Sequence, residues 1–123
     1  MNKKSMSATL LMTLAMVLCV ATVVYAWTVG GYSSIGTSYT VVTGRSYTTS
    51  DVTCDIITAC NWLYKNGSLV DNNAATASYQ NAVSVSTSAL NPPGTQYWET
   101  YGSHKAYKDG VYKRSSSTAT TNW

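Results

Sequence analysis

Cys54 and Cys60, in the segment "VTCDIITAC", are the two thiols outside the apolar N-terminus of this chain. Two such thiols can form a disulfide, join two chains or react as nucleophiles. On one straight strand, which rises about 3.3 Å per residue, roughly 20 Å would separate them, whereas a disulfide needs Cα atoms about 4.4–6.8 Å apart. An intrachain bond therefore requires the chain to fold back near Asp55.

We predict a Cys54–Cys60 disulfide, because an even number of cysteines in an oxidising compartment favours pairing. The two isoleucines and the lack of glycine or proline between the cysteines oppose a tight reversal. If Cys60 instead lies on an outer strand face, an intermolecular bond or a free thiol follows.

The single histidine, His104, is the obvious candidate general base. Catalysis also needs a nucleophile beside the base and a third group that orients it, and no sequence pattern supplies them. We therefore predict a core or rim histidine, hydrogen-bonded to backbone, in a protein that is not an enzyme. Two cysteines and one histidine are too few for a tetrahedral zinc site without a carboxylate, so we predict no metal and no cofactor.

Residues 1–26 have the order of a secretory signal. "MNKK" is basic, "ATLLMTLAMVLCVATVV" is uncharged, and "VYA" places Val24 and Ala26 where a signal peptidase reads small residues. The alternative is an uncleaved anchor, for which about 17–25 apolar residues suffice. Because no polar or basic segment follows the run, we predict cleavage. Residues 27–123 would then be one secreted or extracellular domain without a stable membrane span.

The charge of the predicted mature domain is close to neutral. The whole chain carries a formal net charge of +3, to which Lys3 and Lys4 of the signal contribute. A nucleic-acid binder needs a basic patch that contacts phosphates, so the balance argues against that class.

Turn and strand signals predict an all-β domain. The segment is rich in Ser, Thr, Tyr and Trp and lacks Phe, a composition typical of strands. Asn66-Gly67 predicts a type I′ hairpin and Asp109-Gly110 a second one. We predict strands over 37–44 and 81–90, and a connection or weak edge strand over 72–80.

About six short strands with regular turn signals predict a single antiparallel sandwich, immunoglobulin-like, after an N-terminal signal helix. A small closed β-barrel is the alternative.

A resemblance adds to this prediction. "LYKNGSLV", the later Val-Ser alternation and the spacing in "WETYGSH" resemble small signal-bearing β-sandwich proteins of Gram-positive bacteria, most of which have no known function. The resemblance covers most of residues 50–115. It implies the fold and carries no activity.

Strand parity assigns one set of aromatic side chains to outer faces. Glu99 and Lys105 mark the solvated side of the late strand, which places Trp98 in the core. Exposed flat rings can stack on sugars or anchor a partner, although cross-strand packing alone also favours tyrosine, and the rings could lie on different sheets. The candidate binding residues are Trp62, Tyr64, Tyr97, Tyr101 and Tyr107.

These features favour an exported, non-enzymatic binding module at the cell envelope or outside the cell. Its predicted partner is cell-wall polysaccharide or another envelope protein. The alternatives are a secreted bacteriocin-like toxin and a structural subunit that self-assembles through strand edges or an intermolecular disulfide.

Export should remove residues 1–26, because the signal ends at the small residue Ala26. Intact-mass measurement of the culture supernatant is expected to show a chain that starts at Trp27. A full-length species that pellets with membranes would contradict cleavage.

Overall fold

Residues 26–123, which the computed structural model describes, form an all-β domain with one curled antiparallel sheet. The predicted signal helix belongs to the signal segment 1–26, of which all but Ala26 lies outside the described residues. The five strands are β1 (Val29–Thr37), β2 (Val41–Lys65), β3 (Ser68–Leu90), β4 (Tyr97–Lys108) and β5 (Val111–Asn122).

The long β2–β3 hairpin is the scaffold to which the other strands attach. The first half of β2 pairs with β1, and its second half pairs with β4, which in turn pairs with β5. The β2–β3 ladder is interrupted between Thr49 and Cys54, and such irregularities bend a sheet. The half that carries β1 therefore packs over β4 and β5. Two sheet halves face each other, as in a β-sandwich or a small barrel-like fold, and the all-β antiparallel prediction is confirmed.

The two predicted hairpin turns are confirmed, but one predicted strand is wrong. Asn66-Gly67 has φ values of 50° and 82°, and Asp109-Gly110 has values of 49° and 78°. Both pairs meet the positive-φ requirement of a type I′ turn. The strand predicted over 37–44 instead straddles the turn between β1 and β2. The strands are fewer and longer than expected because β2 and β3 each run through both sheet halves.

The predicted Cys54–Cys60 disulfide is wrong, since both thiols are free. Both cysteines lie on β2, where they pair with Gln80 and Ala74 of β3. The chain therefore continues as a strand between them and does not fold back, which keeps their Cα atoms roughly 20 Å apart. Cys54 is buried in the core, while Cys60 is half-buried on the outer side of β2.

The interface between the two sheet halves is apolar at both ends and polar in the middle. One apolar cluster contains Trp27, Cys54, Ile57 and Ala106, and the other contains Val42, Leu63 and Trp98. Six polar side chains are buried between them, and we call these residues the polar layer: Ser46, Thr48, Asn61, Thr87, Thr100 and His104.

Gly44 and Gly102 are among the glycines that allow the sheet halves to approach closely at the polar layer. A Cβ atom on Gly44 would lie 2.7 Å from both Asn61 Oδ1 and Thr87 Oγ1. A Cβ atom on Gly102 would overlap the hydroxyl of Ser33. Alanine at either position would therefore force the two halves apart and break the hydrogen bonds between them.

Trp98 tests the assignment of the core. Trp98→Ala should cost about 3–5 kcal/mol, because the side chain is fully buried against Val42 and Leu63. That loss approaches the whole stability of a small domain, about 5–15 kcal/mol, so the variant should fail to fold. Thermal unfolding followed by circular dichroism measures the effect.

Trp98→Phe is the matched control. It keeps most of the ring and removes an indole N–H that has no hydrogen-bond partner among residues 26–123. We expect this variant to fold. A Trp98→Ala protein as stable as the wild type would show that the faces of β4 are assigned in reverse.

Candidate functional site

All five predicted aromatic residues lie on one side of one sheet half. Trp62 of β2 pairs with Tyr101 of β4, and Tyr64 pairs with Glu99. Tyr97 and Tyr107 lie on the same side of β4, because the alternate positions of the strand, from Trp98 to Ala106, are the buried ones. The parity assigned from the sequence is confirmed, and the rings are not divided between two sheets. We call this surface the outer face; it consists of the alternate, outward residues of 56–64, 97–107 and 112–122.

Trp62 and Tyr101 form the one pair among these five residues whose rings are in contact. Their ring centroids lie 5.5 Å apart with the planes tilted by 47°, within the range that aromatic pairs prefer. The Tyr101 side chain is 38% exposed and Trp62 is half-buried, so the pair keeps an accessible apolar surface. Tyr97 and Tyr107 are separated by about 33 Å along β4. The aromatic residues therefore form an extended row rather than one compact patch.

Two shallow depressions flank Lys105 on the outer face. The first has a volume of about 420 Å³ and lies beside the Trp62–Tyr101 pair. The second has a volume of about 340 Å³ and lies beside Tyr107 and Tyr112. The first depression is lined by aromatic, hydroxyl and cationic side chains, among them Trp62, Tyr101, Ser103, Lys105, Arg114 and Ser116.

Lys105 and Arg114 are the functional candidates that the sequence reasoning missed. They lie directly opposite each other on β4 and β5, with Thr58 of β2 on the other side of Lys105. From the sequence alone, Lys105 only marks the solvated side of its strand. The Asp109-Gly110 turn was the available signal, because a two-residue hairpin turn fixes which residues of its two strands face each other.

His104 belongs to the polar layer and lies away from the outer face. Thr48 Oγ1 is 2.7 Å from His104 Nδ1 and 3.1 Å from the carbonyl oxygen of Thr58. Because the Thr48 hydroxyl donates its proton to that carbonyl, it accepts a hydrogen bond from Nδ1–H. Nε2 then accepts from the hydroxyl of Ser117, 2.7 Å away. His104 is a core histidine, as predicted, but its partners are hydroxyl groups rather than backbone.

The chain of hydrogen bonds through Ser117, His104 and Thr48 has the order nucleophile, base and orienting group. These three residues lie between the two sheet halves. His104 is fully buried, and the hydroxyl of Ser33 of β1 lies 2.7 Å from the half-buried Ser117 hydroxyl. The chain thereby links β1, β5, β4 and β2 across the interior.

No protein-family model matches the chain, and a search of curated proteins also finds no match. Within residues 26–123, no three His, Cys, Asp or Glu side chains are close enough together to hold a metal ion. The same residues contain no helix with the length and apolar character needed to cross a membrane.

The neutral state of His104 should make the free energy of unfolding depend on pH. Burial lowers the pKa of His104 below its usual 6.5. The unfolded chain therefore binds more protons than the folded protein at pH values between the folded-state pKa and 6.5. The free energy of unfolding should fall as the pH drops below 6.5, by up to about 1.4 kcal/mol per pH unit.

Denaturant titrations at about pH 7.5 and about pH 5.5 would measure this loss, and His104 is the only histidine in the chain. His104→Gln should be less stable at both values yet nearly independent of pH between them. The same pH dependence in the variant and the wild type would contradict the role of His104.

Proposed function

We propose that this protein is an exported, non-enzymatic module that binds polysaccharide at the cell envelope through the outer face. The observation that carries the proposal is the Trp62–Tyr101 pair beside a depression of about 420 Å³. A sugar ring has an apolar face of C–H groups and a rim of hydroxyls. Aromatic rings pack against the C–H face, and the nearby Ser103 and Ser116 hydroxyls can form hydrogen bonds with the hydroxyl rim.

The shape of the surface favours a polymer over a small molecule. Small-molecule sites are concave and enclose most of their ligand. The outer face instead is a sheet surface on which aromatic side chains recur along about 33 Å of β4. A polysaccharide strand can contact such a row at several points, and each weak contact then adds to retention.

Self-assembly through the edge of β3 is less well supported. β3, which includes the segment 72–80, pairs with β2 alone and is an edge strand. Two side chains of its first half bond backbone groups of its second half: Asp71 Oδ2 accepts from Ser88 N–H at 2.9 Å, and Asn73 Nδ2 donates to the Ser86 carbonyl at 3.2 Å. These bonds occupy groups that a second copy would need for strand pairing.

A double substitution at the aromatic pair tests the proposal. Trp62→Ala with Tyr101→Ala should reduce co-sedimentation with insoluble cell walls purified from a Gram-positive bacterium by about tenfold or more, since it removes the stacking surface. The matched control is Tyr32→Ala with Tyr47→Ala. It removes an aromatic pair on β1 and the first half of β2, in which Tyr32 is exposed, Tyr47 is half-buried and the ring centroids are 5.4 Å apart.

Both double variants should remain folded, because a cross-strand aromatic pair contributes only about 0.2–1 kcal/mol. Thermal unfolding checks this for each protein. Equal sedimentation of the Trp62/Tyr101 variant and the wild type would reject the outer face as the binding site. Equal losses in both double variants would show that exposed rings adsorb to cell walls without a specific site.

A further inference from the structure

Lys105 and Arg114 form a pair of positive charges that no carboxylate of the described residues neutralises. They are directly opposite each other on β4 and β5, an arrangement that destabilises a sheet. Within residues 26–123 the only ion pair joins Lys108 and Asp109, so neither Lys105 nor Arg114 has a carboxylate within ion-pair distance. An anion bound between the two cations would remove their repulsion.

We propose that the Lys105–Arg114 pair is an anion subsite, and that the polysaccharide bound by the outer face is acidic. This proposal rests on the proposed function and names the chemistry of the ligand. The guanidinium group of Arg114 can form two parallel hydrogen bonds to a carboxylate or phosphate, and the Lys105 ammonium adds a point charge. Both cations line the depression that also contains Trp62 and Tyr101.

The order of side chains along β4 fits a polymer in which charged and uncharged sugar units follow each other. Tyr101 precedes Lys105 by about 13 Å, a length of a few sugar rings at most. Ser103 lies between them and faces Ser116 of β5. On the other side of Lys105, Tyr107 faces Tyr112 beside the second depression. A polysaccharide that runs along β4 would therefore meet rings, hydroxyls, two cations and rings again.

Charge favours a polysaccharide over a single-stranded nucleic acid, which also combines stacking groups with anions. Nucleic-acid binding draws its affinity from many neutralised phosphates. The outward residues of β4 and β5 provide only two cations, and they include the acidic Glu99. Two cations suit a polymer with widely spaced charges.

The experiment compares cell walls from one preparation in three forms. The first is untreated, the second has its carboxylates amidated with carbodiimide and methylamine, and the third has its phosphodiesters removed with hydrofluoric acid. Wild-type retention should fall by about tenfold or more on the second form if the anion is a carboxylate, or on the third if it is a phosphate.

Lys105→Gln with Arg114→Gln is the test variant, and it should bind all three forms equally weakly. Arg45→Gln with Lys65→Gln is the control with the same change in net charge. Lys108 and Lys113 are unsuitable for that purpose, because Lys108 pairs with Asp109 and Lys113 stacks on Trp27. The test variant should unfold at the same temperature as the wild type or higher, since a repulsive pair is removed.

The outcomes separate this proposal from the proposed function. If the wild type binds all three forms equally and only the Trp62/Tyr101 variant loses binding, the anion subsite is rejected and the proposed function stands. Unchanged binding by the Lys105/Arg114 variant also rejects the subsite. If the wild type binds no form of the cell wall, both proposals fail. If a single-stranded oligodeoxynucleotide at equal anion concentration displaces the wild-type protein from the walls, the ligand is a nucleic acid and the polysaccharide proposal is rejected.

Discussion

The hydrogen bonds of the buried Asn61 amide set the distance between the two sheet halves. Asn61 Nδ2 donates to Ser46 Oγ at 2.7 Å, Asn61 Oδ1 accepts from the Thr87 hydroxyl, and Thr100 Oγ1 lies within hydrogen-bond distance of both ends of the amide. A buried amide that lost these partners would cost several kcal/mol, about 2–7. The polar layer can be satisfied only if the sheets come close, which is why Gly44 faces it without a side chain.

The close approach of the sheet halves also fixes the outer face, because the side chains of β4 point alternately inward and outward. Thr100, His104 and the close-packed Gly102 point inward, while Tyr101, Ser103 and Lys105 point outward between them. Because β4 is paired in one register with β2 and β5 while its inward residues pack against the other sheet half, the outward residues have fixed positions. Side chains on a central strand are therefore held more rigidly than side chains on a loop.

Local chemistry accounts for the part of the fold that the sequence predicts, and long-range packing accounts for the rest. Asn66-Gly67 and Asp109-Gly110 specify their turns by backbone conformation alone, and the alternation around Trp98 specifies which face is buried. The bend of β2 before Cys54 depends on the two sheet halves packing against each other. No residue type in the sequence predicts where this bend occurs. The disulfide prediction failed for this reason: it required a reversal at Asp55, whereas the bend leaves both cysteines on one strand.

Cross-strand packing explains the contact between Trp62 and Tyr101, but it does not explain the cations beside them. Aromatic partners on a sheet surface stabilise each other wherever they occur, as Tyr32 and Tyr47 do on the other half. Lys105 opposite Arg114 has the reverse effect, because like charges directly opposite each other destabilise a sheet. An anion bound in the proposed subsite would offset this repulsion. The aromatic pair alone is thus compatible with packing, and the proposed binding rests on its combination with uncompensated charge in one depression.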